Sequence, residues 1–210
     1  MQESGLPRSP RKVAGGKGKM GLAVSIILAS ASPRRRELLT DAGYKFRVVP
    51  PEIDESAFEG TDACKYAEQL ALAKAKSVAG RFPESLVIGA DTVADFQGEI
   101  IGKATDAKEA ETIVRKLFSG PHKVITGVAI VRASDGVEIV ESESTAVFPK
   151  ALTDKEISEH IKSGTWRDKA GAYAIQEDGD AFIERVEGSL TNVMGLPMEL
   201  LGRMMKWVSH

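Results

Sequence analysis

Apolar positions along the chain follow two periods. Short continuous runs at 24–28 and 86–90, the second reading Leu86-Val87-Ile88-Gly89-Ala90, have the pattern of buried strands. Between them Ala63, Tyr66, Ala67, Leu70, Ala71 and Val78 recur at helical spacing over 61–79, and Lys74 falls on the same face. A lysine therefore interrupts a buried stripe. Ser32 before Pro33 marks a helix start, with the hydroxyl as N-cap and proline at the first helical position, and Gly43 closes that helix. A strand at 46–49 follows, and Pro50-Pro51 opens an acidic loop, Glu52-Ile53-Asp54-Glu55, that cannot be helical before proline.

The 86–90 run ends in Asp91-Thr92, which places Asp91 at the carboxyl edge of a sheet. A turn at 95–98 leads into a strand at 99–102, and an amphipathic helix at 106–117 is closed by Ser119-Gly120-Pro121. Strands at 123–132 and 137–148 pair through Ser134-Asp135-Gly136, and Thr153 caps a further helix. Residues 168–176, Asp-Lys-Ala-Gly-Ala-Tyr-Ala-Ile-Gln, are too loose for a helix core and read as a strand bordering a cleft. A last helix runs to Trp207. Mixed strands and helices with one long antiparallel pair predict an α/β, mixed α+β fold around a mixed sheet.

Composition narrows the field. With 210 residues, one folded unit with room for two lobes is expected, and no run approaches the roughly 20 apolar residues of a membrane span. The 28 basic and 30 acidic residues nearly cancel, so no overall field favours a nucleic-acid polymer, and any anion site must come from local placement. Cys64 stands alone, which excludes an intramolecular disulfide and fits a reducing, cytoplasmic setting; its neighbours predict a core thiol. His122, His160 and His210 share no ligand spacing, so any metal is expected on oxygen ligands. Residues 1–22 are Gly-rich, basic and without apolar periodicity. They read as a disordered tail, an alternative-start segment or a weak organelle address, ahead of a domain at 23–210.

The run Leu28-Ala29-Ser30-Ala31-Ser32-Pro33-Arg34-Arg35-Arg36 stacks cations in a first helical turn, where free N–H groups and the dipole already concentrate positive charge. Each arginine there costs a few tenths of a kcal/mol, which a bound anion would offset. Strand, small-residue turn and Arg-rich helix start together suggest a polyphosphate cradle; the alternative is an exposed basic turn. Polyphosphate hydrolysis needs cations on phosphate oxygens, a carboxylate-held divalent metal and a base for water. Arg34 and Arg35 are the forked phosphate candidates, Lys74 and Lys103 the point charges, and Glu55 and Asp91 the hard oxygen ligands suited to magnesium. Lys103 reads equally as a solvated hairpin lysine, and Glu52 and Asp54 compete with Glu55. No P-loop, dinucleotide fingerprint or nucleophile elbow occurs.

These blocks, in order, resemble the Maf family of nucleoside triphosphate pyrophosphatases over 26–207. The matching segments are Leu28 to Arg35, Ala90-Asp91-Thr92-Val93, Gly102-Lys103, Asp168-Lys169-Ala170-Gly171-Ala172-Tyr173, and Gly188-Ser189 with Asn192-Val193 and Gly195-Leu196-Pro197. The resemblance implies an elongated mixed β-sheet flanked by helices, two lobes with a nucleotide cleft between them, a homodimer, and a Mg or Mn cofactor. It implies cleavage between the α and β phosphates of a nucleoside triphosphate. Asp91 falls on the family's proton acceptor, Arg34, Thr92 and Gln176 on its specificity positions, and Ser30 and Ser32 would add hydroxyl or backbone contacts. Gln176 matches the dTTP/UTP branch, since a carboxamide pairs with the donor and acceptor edge of uracil or thymine. Glu177 keeps a 7-methyl-GTP-type purine branch open, and a nucleotide-binding regulator of septation is the non-enzymatic alternative. Ala104 stands where proline commonly follows the lysine, and Glu177-Asp178 replaces the usual glycine.

Overall fold

The computed structural model describes residues 24–173, 175 and 182–208. The expected tail at 1–22 and the candidate Gln176 lie outside the described residues. Strand β1 (Ile26–Ala29) feeds helix α1 (Pro33–Asp41), then β2 (Phe46–Val48) and a single 3-10 turn at Glu55–Ala57. Helix α2 (Ala63–Ala79), β3 (Leu86–Phe96), β4 (Glu99–Ile101) and α3 (Ala107–Leu117) follow. Two long strands, β5 (His122–Arg132) and β6 (Val137–Pro149), lead to α4 (Asp154–Ser163), β7 (Ile183–Glu187), the short α5 (Leu190–Val193) and α6 (Met198–Trp207). The described strands form one seven-stranded sheet in the order β2-β1-β3-β5-β6-β7, with β4 pairing to β3 alone. Pairings of β1 are parallel and the rest antiparallel, which is the mixed sheet anticipated.

Local signals set the helix starts. Ser32 Oγ accepts the Arg35 amide at 3.4 Å, Asp62 accepts two amides of α2, Asp106 caps α3, and Thr153 with Glu156 completes a reciprocal capping box on α4. Each such cap contributes about 1 kcal/mol. Two expectations are corrected. Asp91 is not at a strand tip, because β3 continues to Phe96 on a ladder with β5 that runs unbroken from Val87 to Asp95. The 168–173 stretch borders the cleft but is a turn, since Asp168, Gly171 and Ala172 all have φ near +60 to +70° (61, 71 and 58°), which no strand allows. Strand β7 and helix α5 have no counterpart in the sequence reading.

Beneath α2 the sheet carries glycine. A Cβ on Gly89 would lie 2.2 Å from the Ala71 carbonyl oxygen, and one on Gly127 would lie 2.3 Å from that of Ala67. With Ala67, Ala71 and Ala75 at four-residue spacing and fully buried, the helix backbone rests directly on the strands. Apolar packing divides along the sheet. One cluster joins Leu28, Leu39, Ile88, Val128 and Leu200, and another joins Ala94, Val114, Leu117, Val124 and Trp166, so β3 and β5 run through both lobes. Gly127→Ala is expected to destabilise the fold by about 2 kcal/mol through overpacking, read from urea unfolding midpoints.

Candidate active site

The sheet forks at the middle of β3. Residues 90–93 pair with β5 on one side; on the other, β1 stops opposite Gly89 and β4 begins opposite Ala94. Strand alternation sends Asp91 to the α2 face and Thr92 to the opposite face, and the gap lets both reach one cleft. That cleft encloses about 820 Å³ counting its open mouth.

On the α2 face, close helix packing brings the Lys74 ammonium to 2.5 Å from Asp91 Oδ1 and 2.8 Å from Glu55 Oε1. The Lys74 and Asp91 side chains are 6% and 7% exposed, and Glu55 is 45% exposed on its 3-10 turn. A buried ammonium needs such partners, because an unpaired one costs several kcal/mol. Partial burial pushes the Glu55 carboxyl up, but its bond to Lys74 and the more distant Lys103 and Arg35 outweigh this and hold it below the usual carboxylate range. Tyr66, which sequence reasoning assigned only to the helix stripe, also feels the site: burial first, then the charges of Asp91 and Glu55, raise its phenol above the ordinary value. Two carboxylates that converge on one ammonium can share one cation. Glu55 and Asp91 therefore suit magnesium or manganese completed by phosphate oxygens and water, which is how magnesium is commonly held. Among the described residues no group of three or more His, Cys, Asp or Glu forms a self-sufficient cage.

On the opposite face Arg35 is held on three sides. Its Nε donates to the Gly195 carbonyl at 2.7 Å, Nη1 to Ser30 Oγ at 3.3 Å and Nη2 to Thr92 Oγ1 at 3.0 Å. The hydroxyl hydrogens then have one consistent direction. Thr126 donates to the Asn192 carbonyl at 3.1 Å, so it accepts from Thr92 at 2.9 Å, which leaves a Thr92 lone pair for Arg35. Burial lowers the Arg35 guanidinium from its usual value, and the carboxylates of Asp91 and Glu55 oppose that shift. Three of its five N–H groups serve the protein, leaving one on each terminal nitrogen for a ligand.

Of the residues singled out from sequence, Ser32, Arg34, Arg35, Asp91, Thr92 and Lys103 line the cleft. Lys74 and Glu55 join it through Asp91. Ser30 is buried behind Arg35, accepting from that side chain and from the Ser32 amide, so it shapes the cradle from within. Gln176 lies outside the described residues. Sequence reasoning had no signal for Val124 and Thr126, whose placement depends on strand register, whereas Asp168 and Lys169 line the cleft that the 168–176 stretch was expected to border. The cleft lining has two characters: the cations Arg34, Arg35 and Lys103, and the apolar surfaces of Val124, Tyr173, Ile175, Val193 and Met194.

A mixed α/β domain with a cationic and apolar cleft at a forked strand is a small-molecule enzyme scaffold of a definite family. The family model described as Maf-like protein matches residues 25–208, and the chain belongs to that family. It is 46% identical over 174 residues to the dTTP/UTP pyrophosphatase of Citrifermentans bemidjiense, covering 83% of this chain and 90% of that protein. It is 45% identical over 183 residues to the dTTP/UTP pyrophosphatase of Elusimicrobium minutum, covering 87% and 98%. The solved structure of a HAM1 protein from Coxiella burnetii shares 13% identity over 62% of this chain and 75% of its own, with a TM-score of 0.43.

Arg35→Ala is expected to lower stability by about 2 kcal/mol, the scale of hydrogen bonds from a charged donor, measured by denaturant unfolding. Arg35→Lys should not restore it, because one ammonium on a flexible stem cannot span Gly195, Ser30 and Thr92 together.

Proposed function

We propose that this protein is a nucleoside triphosphate pyrophosphatase that hydrolyses dTTP and UTP to the monophosphate and pyrophosphate. The observation that carries the reading is the position of Asp91, in the sheet's fork and in one cleft lined by both cationic and apolar side chains. The names of relatives at about 45% identity over most of their length support the same activity and the same pyrimidine substrates.

In this reading Arg34, Arg35 and Lys103 hold the triphosphate, and the positive end of the α1 dipole adds to them. Thr92 orients Arg35 and borders the cleft beside it. Asp91, fixed by Lys74, takes a proton from a water as its oxygen attacks the α-phosphorus; the bond from that phosphorus to the bridging oxygen breaks and pyrophosphate leaves. A magnesium or manganese ion on Glu55 and Asp91 would supply charge neutralisation at the phosphate oxygens. The apolar walls receive the base, and Gln176 reads its edge. The reading includes a homodimer and a cytoplasmic setting, the latter in keeping with the single free, half-buried Cys64. Among the described residues no helix is long and apolar enough to cross a membrane.

Purified protein with magnesium should release pyrophosphate from dTTP and UTP faster than from purine triphosphates. Orthophosphate as the product, or a preference for 7-methyl-GTP, would refute the assignment. Asp91→Asn is expected to lower kcat by at least about a thousandfold while dTTP binding, read by calorimetry, persists.

A further inference from the structure

Three of the five residues from Asp168 to Ala172 have a left-handed backbone, two of them not glycine, at a cost of the order of 1 kcal/mol each. Such a turn persists only where its surroundings over-determine it. Here the turn is tied at its front edge by the Gly171 amide donating to the Gly102 carbonyl at 3.0 Å, and Lys103 bridges to Ala170. From behind, two buried histidines hold it. His160 Nε2 lies 2.8 Å from the Ala172 carbonyl, so that nitrogen carries the hydrogen and donates. His122 has the opposite tautomer: Nδ1 donates to the Leu117 carbonyl at 3.1 Å, and Nε2 accepts the Tyr173 hydroxyl at 2.7 Å. Burial lowers the His122 imidazole from its ordinary value, opposed by backbone bonds, which favours the neutral ring this arrangement needs. Tyr173 thus spends its hydroxyl inside the core and turns an apolar surface to the cleft, beside Val124 and Ile175.

We propose that His160 and His122 are positioning residues for nucleobase recognition: they fix the turn at 168–173 as the wall against which the base rests. The proposal rests on the nucleotide reading above and extends it to residues with no contact to substrate. Arg34 and Arg35 sit on α1, Lys103 meets the turn only at its front edge through Ala170, and the turn's own Lys169 donates its ammonium to the Thr165 carbonyl, so loosening the wall from behind, at Ala172 and Tyr173, should weaken grip on the base more than grip on the phosphates.

The test is steady-state kinetics on the full chain with dTTP, together with inhibition by inorganic tripolyphosphate, which reports the phosphate end alone. Turnover of dTTP by the unaltered protein is established first; its absence fails the nucleotide reading itself and this proposal with it. Given turnover, His160→Ala is expected to raise KM for dTTP about tenfold, with kcat and the tripolyphosphate inhibition constant within about twofold of the parent. His160→Gln, whose amide can still donate to Ala172, should recover KM to within about twofold of the parent. Tyr173→Phe, which removes only the hydroxyl held by His122, should raise KM about threefold with the same selectivity. An unchanged KM in His160→Ala, no recovery with glutamine, or a parallel loss of tripolyphosphate inhibition would each overturn the proposal. If His160→Ala does not fold, Tyr173→Phe decides alone, and an unchanged KM there is the refuting result.

Discussion

The buried ion pair between Lys74 and Asp91, extended to Glu55, is the interaction on which the site depends, and it exists only because α2 lies against the sheet with nothing between them. Gly89 and Gly127 supply the clearance, and Gly127 stands directly across the β3–β5 ladder from Asp91. Side chains at those two positions would lift the helix and strand an ammonium away from its carboxylates in a region of low dielectric, where an uncompensated charge is most costly. Packing density and site chemistry are therefore set by the same contacts. The alanine row of α2 is a condition for the charge array as well as part of the core.

Sheet topology supplies the second condition. A continuous strand beside β3 would bury residues 90–93 between neighbours, and alternating side chains would open on two separate faces. Because β1 ends at Ala29, opposite Gly89, and antiparallel β4 reaches back only to Ile101, opposite Ala94, the edge of β3 is bare over the four residues that matter. Asp91 and Thr92, adjacent in sequence and opposite in direction, then border one space. The parallel half of the sheet brings the start of α1 to that opening, and the antiparallel half brings Lys103 and the turn at 168–173 from the other lobe.

What the sequence made legible was what local physics determines. The stripe of α2, its buried lysine, and the caps at Ser32 and Thr153 follow from helical period and from donors within four residues. Asp91 was read as a strand end because an apolar run stops before it, yet the ladder to β5 continues past it; only the partner strand on the far side ends there. The alanine and glycine of 168–173 carry no marker of handedness. Their left-handed turn is set by His160, Gly102 and Leu117, residues distant in sequence, and a composition suited to an edge strand is overridden by those bonds. Ser30 was legible as a small residue near the cradle, but its burial beneath Arg35 depended on the fold.

The arginine cluster shows how far a charge argument from sequence can reach. Cations at a helix start raise energy, and an anionic ligand is one way to offset them. In the folded chain part of that offset is already present: Gly195 offers a carbonyl, Thr92 a lone pair directed by Thr126, and Asp91 and Glu55 a negative field. Arg35 is thus ordered before any ligand arrives, with two N–H groups still available. An arginine held this way loses little rotamer freedom on binding, whereas a solvated one would give up about 2 kcal/mol of side-chain entropy. The same contacts that stabilise the cradle also fix its geometry, and for a reaction in which the protein contributes mainly position and charge, fixed geometry is most of what it can contribute.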